Sequence, residues 1–258
     1  MLTLLSKLHF LINIIIRIYN LLPIPVYHNL DRIKAYRRIF FLINFEAIKG
    51  DYLEFGVFER TSLISAFYAN KSTGKVDKLV MLNKTNKRRF IGFDSFEEGF
   101  KYFKEEDKHD NWIEGHLSSN LKLVKKRVSR VSRNDFILVK GFVENTLEDI
   151  KKNNDTVEGY KIEKVAVMLI DMDLKSPAEK ALRFCHDKLQ NGSIIIIDNY
   201  FNFNCDPNKG EFAAISNFID YSKIKLIDFG NYGVTGKIFI DFIHDLKGQN
   251  IPTKRTQI

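Results

Sequence analysis

The chain has 258 residues, 45% of them hydrophobic and 28% charged, which suits one α/β domain with appendages and excludes a disordered chain. Its net charge of +8 favours acidic partners, although lysines spread along the chain are equally typical of a solvated surface. Two cysteines without a CxxC motif exclude a disulfide scaffold and a cysteine zinc site, and a reducing cytosol is the simplest compartment.

The first 48 residues are predicted to form a helical extension. Its first helix, over about residues 3–22, is apolar except for polar residues at every third or fourth position, and Pro23 and Pro25 end it. The polar residues exclude a clean membrane span, and the segment lacks the cleavage site of a secretory signal. We expect this helix to lie at a membrane surface, to join subunits of a homo-oligomer, or to cover the domain's own core. A second helix is predicted over residues 31–48.

Residues 49–258 are predicted to form one domain in which strands alternate with helices, as in a doubly wound α/β sheet. The predicted strands cover residues 51–55, 89–94, 136–141, 165–170, 193–197, 224–229 and 236–241, the last two as an antiparallel pair. Helices are predicted over residues 61–70 and 120–131 and between the fourth and fifth strands, and residues 95–120 as a lid or substrate loop.

The stretch from the fourth to the fifth strand is predicted to be a right-handed βαβ unit. Both strands, 165–170 and 193–197, are continuous apolar runs, as expected of strands buried on both faces. Ser176, Pro177 and Glu179 form a predicted capping box with proline at the first helical position.

Glycines and polar side chains stand at the carboxyl ends of the predicted parallel strands, where such sheets bind ligands. They are Glu54, Gly56, Asp94, Gly141, Asp171, Asp173, Asp198 and Asn199. Gly56 allows a ligand close to the backbone, but a GxGxxG pattern is missing, so a ligand with an amino-acid portion fits better than a dinucleotide. An acid at the position of Asp94 suits a ribose diol.

Asp171, Asp198 and Asn199 offer hard oxygen ligands from neighbouring strand ends, which suits Mg²⁺ or another divalent cation. Such an ion would lower the pKa of a bound hydroxyl. The alternative is that these residues only hydrogen-bond a cofactor or cap helices. His116 and His109, in the predicted lid, are candidates for a general base.

Four segments resemble, in order, motifs of the macrocin O-methyltransferase family: "YLEFGVFERTS", "IGFDSFEEGF", "VKGFVENTL" and "LIDMDLKSPAEKALRFCHDKLQNGSIIIIDNY". The resemblance covers about residues 50–220. It implies a seven-stranded class I methyltransferase (Rossmann-like) sheet and transfer of a methyl group from S-adenosylmethionine, assisted by Mg²⁺, to a sugar hydroxyl of a glycan, glycolipid or glycosylated natural product.

The resemblance also implies a set of site residues. The cofactor-binding residues expected are Glu54, Phe55, Gly56, Ser62, Asp94, Ser95, Gly141 and Asp171. The metal ligands expected are Asp171, Asp198 and Asn199, and Asp171 is also expected to be catalytic. Position 199 is Asn where the family usually has Asp, which is similar to the Asp-Asn pair that binds Mg²⁺ in catechol O-methyltransferases.

Two further functions remain open. One is a catechol-type or other small-molecule O-methyltransferase. The other is a non-catalytic, methyltransferase-like protein that its N-terminal helix carries to a membrane or partner. No base-flipping motif is visible, so nucleic acid is not expected as a partner. The expected location is cytoplasmic, either free or peripheral at the inner membrane face.

Overall fold

The structure is a computed structural model that describes residues 2–59, 61–76, 87–101, 104, 107–108, 113–222 and 224–242. Its helices are α1 (Leu2–Asn20), α2 (Ile24–Phe45), α3 (Thr61–Val76), α4 (Leu121–Ser129), α5 (Val143–Lys152), α6 (Lys175–Cys185) and α7 (Gly210–Ser222). Its strands are β1 (Asp51–Phe55), β2 (Phe90–Asp94), β3 (Phe136–Lys140), β4 (Thr156–Val157), β5 (Tyr160–Lys161), β6 (Val165–Ile170), β7 (Ile194–Ile197), β8 (Lys225–Tyr232) and β9 (Gly236–Phe242).

Within the described residues, seven strands form one sheet in the order β3-β2-β1-β6-β7-β9-β8, and β4 pairs with β5 in a separate hairpin. All pairings from β3 to β7 are parallel, whereas β9 runs antiparallel between β7 and β8. The predicted seven-stranded, doubly wound sheet is confirmed. Its strand order reverses between β1 and β6, and such a reversal opens a crevice at the carboxyl ends of the strands.

Apolar side chains cover both faces of the sheet. On one face α5, α6 and α7 contribute residues such as Leu147, Leu182 and Phe218 to the core. On the other face α2, α3 and α4 contribute residues such as Phe40 and Leu63. Strands β6 and β7 are fully buried because helices cover them on both sides, which explains their continuous apolar sequences.

Helix α2 packs on the sheet and does not extend away from it. Its residues Tyr36, Ile39, Phe40 and Ile43 are completely buried. The helix begins at Ile24, earlier than predicted, because a proline in the first helical turn removes no intrahelical hydrogen bond. The boundary after residue 48 stays a prediction.

Helix α1 covers no part of the domain's core in the described structure. All its described side chains, from His9 to Asn20, are exposed, so this part of the helix does not cover the domain's own core, and contact with a membrane or a second subunit stays a prediction. No single helix in the described ranges is long and apolar enough to span a membrane, although His9–Asn20 and Ile24–Phe45, bent by 106°, reach that length and composition together.

The predicted capping box at the start of α6 is wrong. The residue before the helix is Leu174, and Ser176 lies inside the first turn, where its side chain makes no capping hydrogen bond. The carboxylate of Asp107 accepts hydrogen bonds from the backbone N–H groups of Lys175 (2.9 Å) and Ser176 (3.3 Å) instead. A side chain distant in sequence therefore caps α6, so the local pattern was misleading.

Candidate active site

A cleft of ≈ 460 Å³ opens at the carboxyl ends of the parallel strands, and its volume suits a cofactor-sized ligand. The predicted site residues that line it are Gly56, Ser62, Asp94, Ser95, Gly141, Asp171 and Asn199. Asp173, also noted at a strand end, lines it as well. Phe100 and Leu117, from the predicted lid, add apolar surface.

The turn after β1 forms one wall of the cleft. Gly56 has a φ of +93°, and a side chain there would collide with the backbone carbonyl of Asp171. The N–H of Asp171 donates to the carbonyl of Phe55 (2.8 Å), so the ends of β1 and β6 touch directly. Glycine at position 56 is therefore required for this contact between the two strand ends.

Asp94 holds the turn after β1 in place. Its Oδ2 accepts hydrogen bonds from the backbone N–H groups of Val57 and Phe58, both at 2.8 Å, and its Oδ1 accepts one from Phe96 at 2.5 Å. Burial raises the pKa of Asp94 and these hydrogen bonds oppose the rise. Gly141 donates its N–H to the carbonyl of Asp94 (2.9 Å), which joins the ends of β2 and β3.

Glu54 lies behind the cleft wall. It is completely buried, and its carboxylate accepts hydrogen bonds from the hydroxyls of Ser62 and Tyr52, both at 2.6 Å. Burial raises the pKa of Glu54 to about 7, against the effect of these hydrogen bonds. Phe55 is buried too, so among these residues Ser62 is the one that reaches the cleft. Direct contact of Glu54 and Phe55 with the cofactor stays a prediction.

Asp171 and Asp198 converge on a guanidinium that the sequence did not suggest. Arg32, from α2, places Nη2 2.7 Å from Oδ1 of Asp198 and 3.4 Å from Oδ2 of Asp171. The same Oδ1 accepts hydrogen bonds from Nε2 of His28 (3.1 Å) and from the hydroxyl of Tyr232. Charged and polar groups from α2, β6, β7 and β8 therefore meet in one cluster.

The loop between β8 and β9 holds α2 at this cluster. The N–H of Val234 donates to Nδ1 of His28 (3.3 Å), and Nε2 of His28 lies 3.1 Å from Oδ1 of Asp198 and 3.0 Å from Nη2 of Arg32, between an acceptor and a donor. The N–H of Gly233 donates to the carboxylate of Asp31 (2.8 Å). These contacts fix both the ring orientation of His28 and the position of its helix.

Asn199 does not present its carbonyl oxygen to Asp171. Its Nδ2 lies 2.9 Å from Oδ1 of Asp173 and 3.4 Å from Oδ1 of Asp171, while its Oδ1 accepts a hydrogen bond from Asn202 (3.0 Å). In the described residues no group of three or more His, Cys, Asp or Glu side chains is arranged to hold a metal ion. With Arg32 between the carboxylates, the predicted ligand set does not fit a divalent cation as it is arranged.

The carboxyl groups of Asp171, Asp173 and Asp198 differ in pKa. Burial alone would raise the pKa of Asp198, but the hydrogen bond from His28 and the charge of Arg32 lower it to about 2. Burial and the charge of Asp198 raise the pKa of Asp171. The same two causes raise the pKa of Asp173 to about 7. Asp173 is therefore a cleft carboxyl that changes its charge near neutral pH.

Glu211 fixes the turns that carry these acids, and sequence reasoning missed it. Its buried Oε1 accepts hydrogen bonds from the backbone N–H groups of Met172 (2.6 Å) and Asp173 (3.0 Å), and Oε2 accepts one from Asn199 (2.9 Å). Burial and the charge of Asp173 raise its pKa to about 8. In the sequence Glu211 is an acid in the first turn of a helix, a position typical of exposed residues.

The family model for macrocin-O-methyltransferase (TylF) matches residues 29–229. The chain belongs to the macrocin-O-methyltransferase family. It is thus an S-adenosylmethionine-dependent O-methyltransferase, and the family and enzyme class predicted from the motifs are confirmed. No curated protein matches the chain.

Solved methyltransferases share the fold of this family member. The O-methyltransferase NovP has a TM-score of 0.60 and 16% identity, over 83% of this chain and 80% of NovP. The calicheamicin methyltransferase CalS11 has a TM-score of 0.60 and 18% identity, over 81% and 77%. An O-methyltransferase from Bacillus cereus in complex with SAH has a TM-score of 0.50 and 14% identity, over 81% of each chain. At these identities the likeness shows the fold alone.

The histidines predicted as general bases remain untested in this family member. His116 is exposed, and its side chain is not among those that line the cleft, although its neighbour Leu117 is. His109 lies outside the described residues.

The raised pKa of Glu211 makes part of the stability depend on pH. Since this pKa is higher than in the unfolded chain, the stability linked to it is complete at low pH and is lost as the pH rises through about 8. We compare the unfolding free energies of the wild type and of Glu211→Gln. The wild-type value minus the variant value should decrease as the pH rises from about 5 to about 8. Urea denaturation across this range measures it, with the exposed Glu158→Gln as control. A constant or rising difference would contradict the prediction.

Proposed function

We propose that this enzyme transfers the methyl group of S-adenosylmethionine to a hydroxyl of a sugar-containing acceptor. The family description supports this acceptor class, as does CalS11, described as a TDP-rhamnose 3′-O-methyltransferase, whose apo structure has a TM-score of 0.51 and 18% identity to this chain. The observation that carries the mechanism is the position of the Asp173 carboxyl, which lines the cleft beside Asp171, and burial raises its pKa to about 7, a value that suits proton transfer near neutral pH.

In the proposed binding mode the cofactor lies along the turns after β1, β2 and β3. Its amino-acid carboxylate faces the backbone N–H groups at the start of α3, near Gly56 and Ser62, because a helix N-terminus attracts anions. The adenosyl part extends towards Asp94 and Gly141. Glu54 acts through its hydrogen bond to Ser62, which sets the start of that helix.

In the proposed transfer Asp173 takes the proton of the acceptor hydroxyl. The oxygen attacks the methyl carbon, the C–O bond forms as the C–S bond breaks, and S-adenosylhomocysteine leaves. Asp171, which lines the same end of the cleft, orients the acceptor by hydrogen bonding. The sulfonium is already electrophilic, so alignment and deprotonation are what the protein must supply.

A dependence on Mg²⁺ is expected from the family resemblance alone. Asp171, Asp198 and Asn199 are the residues expected to hold the ion, but in their present arrangement around Arg32 they do not fit it. Because Arg32 lies between the two carboxylates, no step above depends on the ion.

The acceptor class is tested by methyl transfer from labelled S-adenosylmethionine to a panel of nucleotide sugars, glycosylated natural products, glycolipids and catechols. Label in a sugar hydroxyl is expected. Label only in catechols would favour the small-molecule alternative, and failure to bind S-adenosylmethionine in calorimetry would favour the non-catalytic one.

The role of Asp173 predicts a loss of turnover without a loss of cofactor binding. Asp173→Asn keeps the shape but cannot accept the proton, so kcat should fall by about 10²–10⁴-fold while calorimetry shows unchanged cofactor affinity. In the wild type kcat should rise with pH through about 7, as the carboxyl ionises. His116→Gln is the comparison variant. If it loses turnover and Asp173→Asn does not, the base is His116.

The exposed helix α1 is proposed to dock on an anionic membrane at the cytoplasmic face. Residues 1–30 contain Lys7 and Arg17 but no acid, and exposed apolar side chains follow one another along α1. They include Phe10, Leu11, Ile12, Ile14, Ile15, Ile16 and Ile18. A lipid interface accommodates such a broad apolar surface better than one partner surface does.

Flotation of the full chain with vesicles tests this docking. Binding to vesicles with anionic lipid should exceed binding to neutral vesicles, because both the apolar and the basic side chains contribute. Ile15→Glu should reduce binding strongly, whereas Lys225→Glu, on an exposed strand position, should reduce it little. A stable dimer that Ile15→Glu dissociates, without vesicle binding by the wild type, would instead identify α1 as a subunit contact.

A further inference from the structure

One nitrogen atom bridges the two acids that were expected to bind a metal. Nη2 of Arg32 lies 2.7 Å from Asp198 and 3.4 Å from Asp171, and the Arg32 side chain is only 9% exposed. A guanidinium is charged at every pH that a protein tolerates. It therefore occupies the bridging position that a cation shared by these acids would take.

The carboxylate oxygen that accepts a hydrogen bond from Arg32 has no free lone pair for a further ligand. Oδ1 of Asp198 accepts hydrogen bonds from Arg32 and Tyr232 and also lies 3.1 Å from Nε2 of His28, and one carboxylate oxygen offers about two lone pairs. A metal ion on this oxygen must therefore displace at least one donor. Of the three, Arg32 carries the fixed positive charge, which a divalent cation at the same place would repel most strongly.

The Arg32 side chain also lacks one of the hydrogen bonds that it could donate. Its Nε is buried and has no hydrogen-bond partner among the described residues, which costs free energy relative to a solvated guanidinium. The attraction to the two carboxylates keeps it there.

We propose that Arg32 is an internal counter-cation that occupies the bridging position between Asp171 and Asp198, so that this pair, as it is arranged, does not hold a divalent cation. The inference deepens the proposed function at the same site, because it makes the position of α2 decide whether the acids hold a metal. Arg32 and Asn29, one turn apart on α2, both line the cleft.

Titration with Mn²⁺, followed by the electron paramagnetic resonance of free ion, tests this without cofactor or acceptor. Arg32→Gln should bind Mn²⁺ about tenfold or more tightly than the wild type, because it removes the competing charge. Arg32→Lys, which keeps that charge, should remain close to the wild type. Adding Asp198→Asn to Arg32→Gln should abolish the gain. Arg37→Gln, an exposed position on the same helix, is the control.

Equal or weaker Mn²⁺ binding by Arg32→Gln would overturn the proposal. Because Arg32→Gln leaves buried carboxylates without their partner, its melting temperature is measured as well, in EDTA and in Mn²⁺. A lowered value that Mn²⁺ restores supports the proposal, and a lowered value that Mn²⁺ does not restore counts against it. Both readouts are independent of methyl transfer, so an error about the acceptor would leave them unaffected.

Discussion

The buried ion pair between Arg32 and Asp198 determines how the rest of the active site is assembled. Burying two charges is unfavourable unless they are paired and hydrogen-bonded, and here His28 and Tyr232 add the further hydrogen bonds. The pair joins α2 to the end of β7. A helix that lies outside the strand–helix alternation thereby becomes a wall of the cleft.

The strand ends themselves are held by backbone contacts. Gly56 brings the ends of β1 and β6 together, Asp94 holds the turn after β1, and Glu211 joins the turns after β6 and β7. In each case a buried carboxylate or a carbonyl satisfies N–H groups that a turn leaves without partners. Of these three residues Glu211 is not among those that line the cleft, and it fixes the turns that carry Asp173 and Asn199.

The sheet and its ligand-binding edge could be predicted because their signals are local. Buried apolar runs identified β6 and β7, and the polar residues that follow them marked the edge. Arg32 and Glu211 could not be found in this way. Arg32 meets a partner 166 positions away, and in the sequence it resembles any other basic residue of a charged helix.

Side-chain direction explains why Glu54 does not line the cleft. Residues two apart on a strand share a face, so Glu54 points with Tyr52 into the core that α2 covers, and the cleft receives only Ser62. The capping box failed for a different reason, since Asp107 approaches α6 from a distant segment. Helices α5 and α7 were not predicted, although both carry apolar residues at helical spacing: Val143, Leu147 and Ile150 in α5, and Ala214, Ile215 and Phe218 in α7.

The contact between the β8–β9 loop and α2 has a consequence for biosynthesis. Asp31 and Gly233, which form a hydrogen bond there, are separated by 202 positions. A ribosome that adds about 5–20 residues per second needs roughly 10–40 s to make the chain between them. During that time the side chains of His28, Asp31 and Arg32 lack their partners in the second half of the chain, so the wall that α2 gives to the cleft is completed only after the last strands have been made.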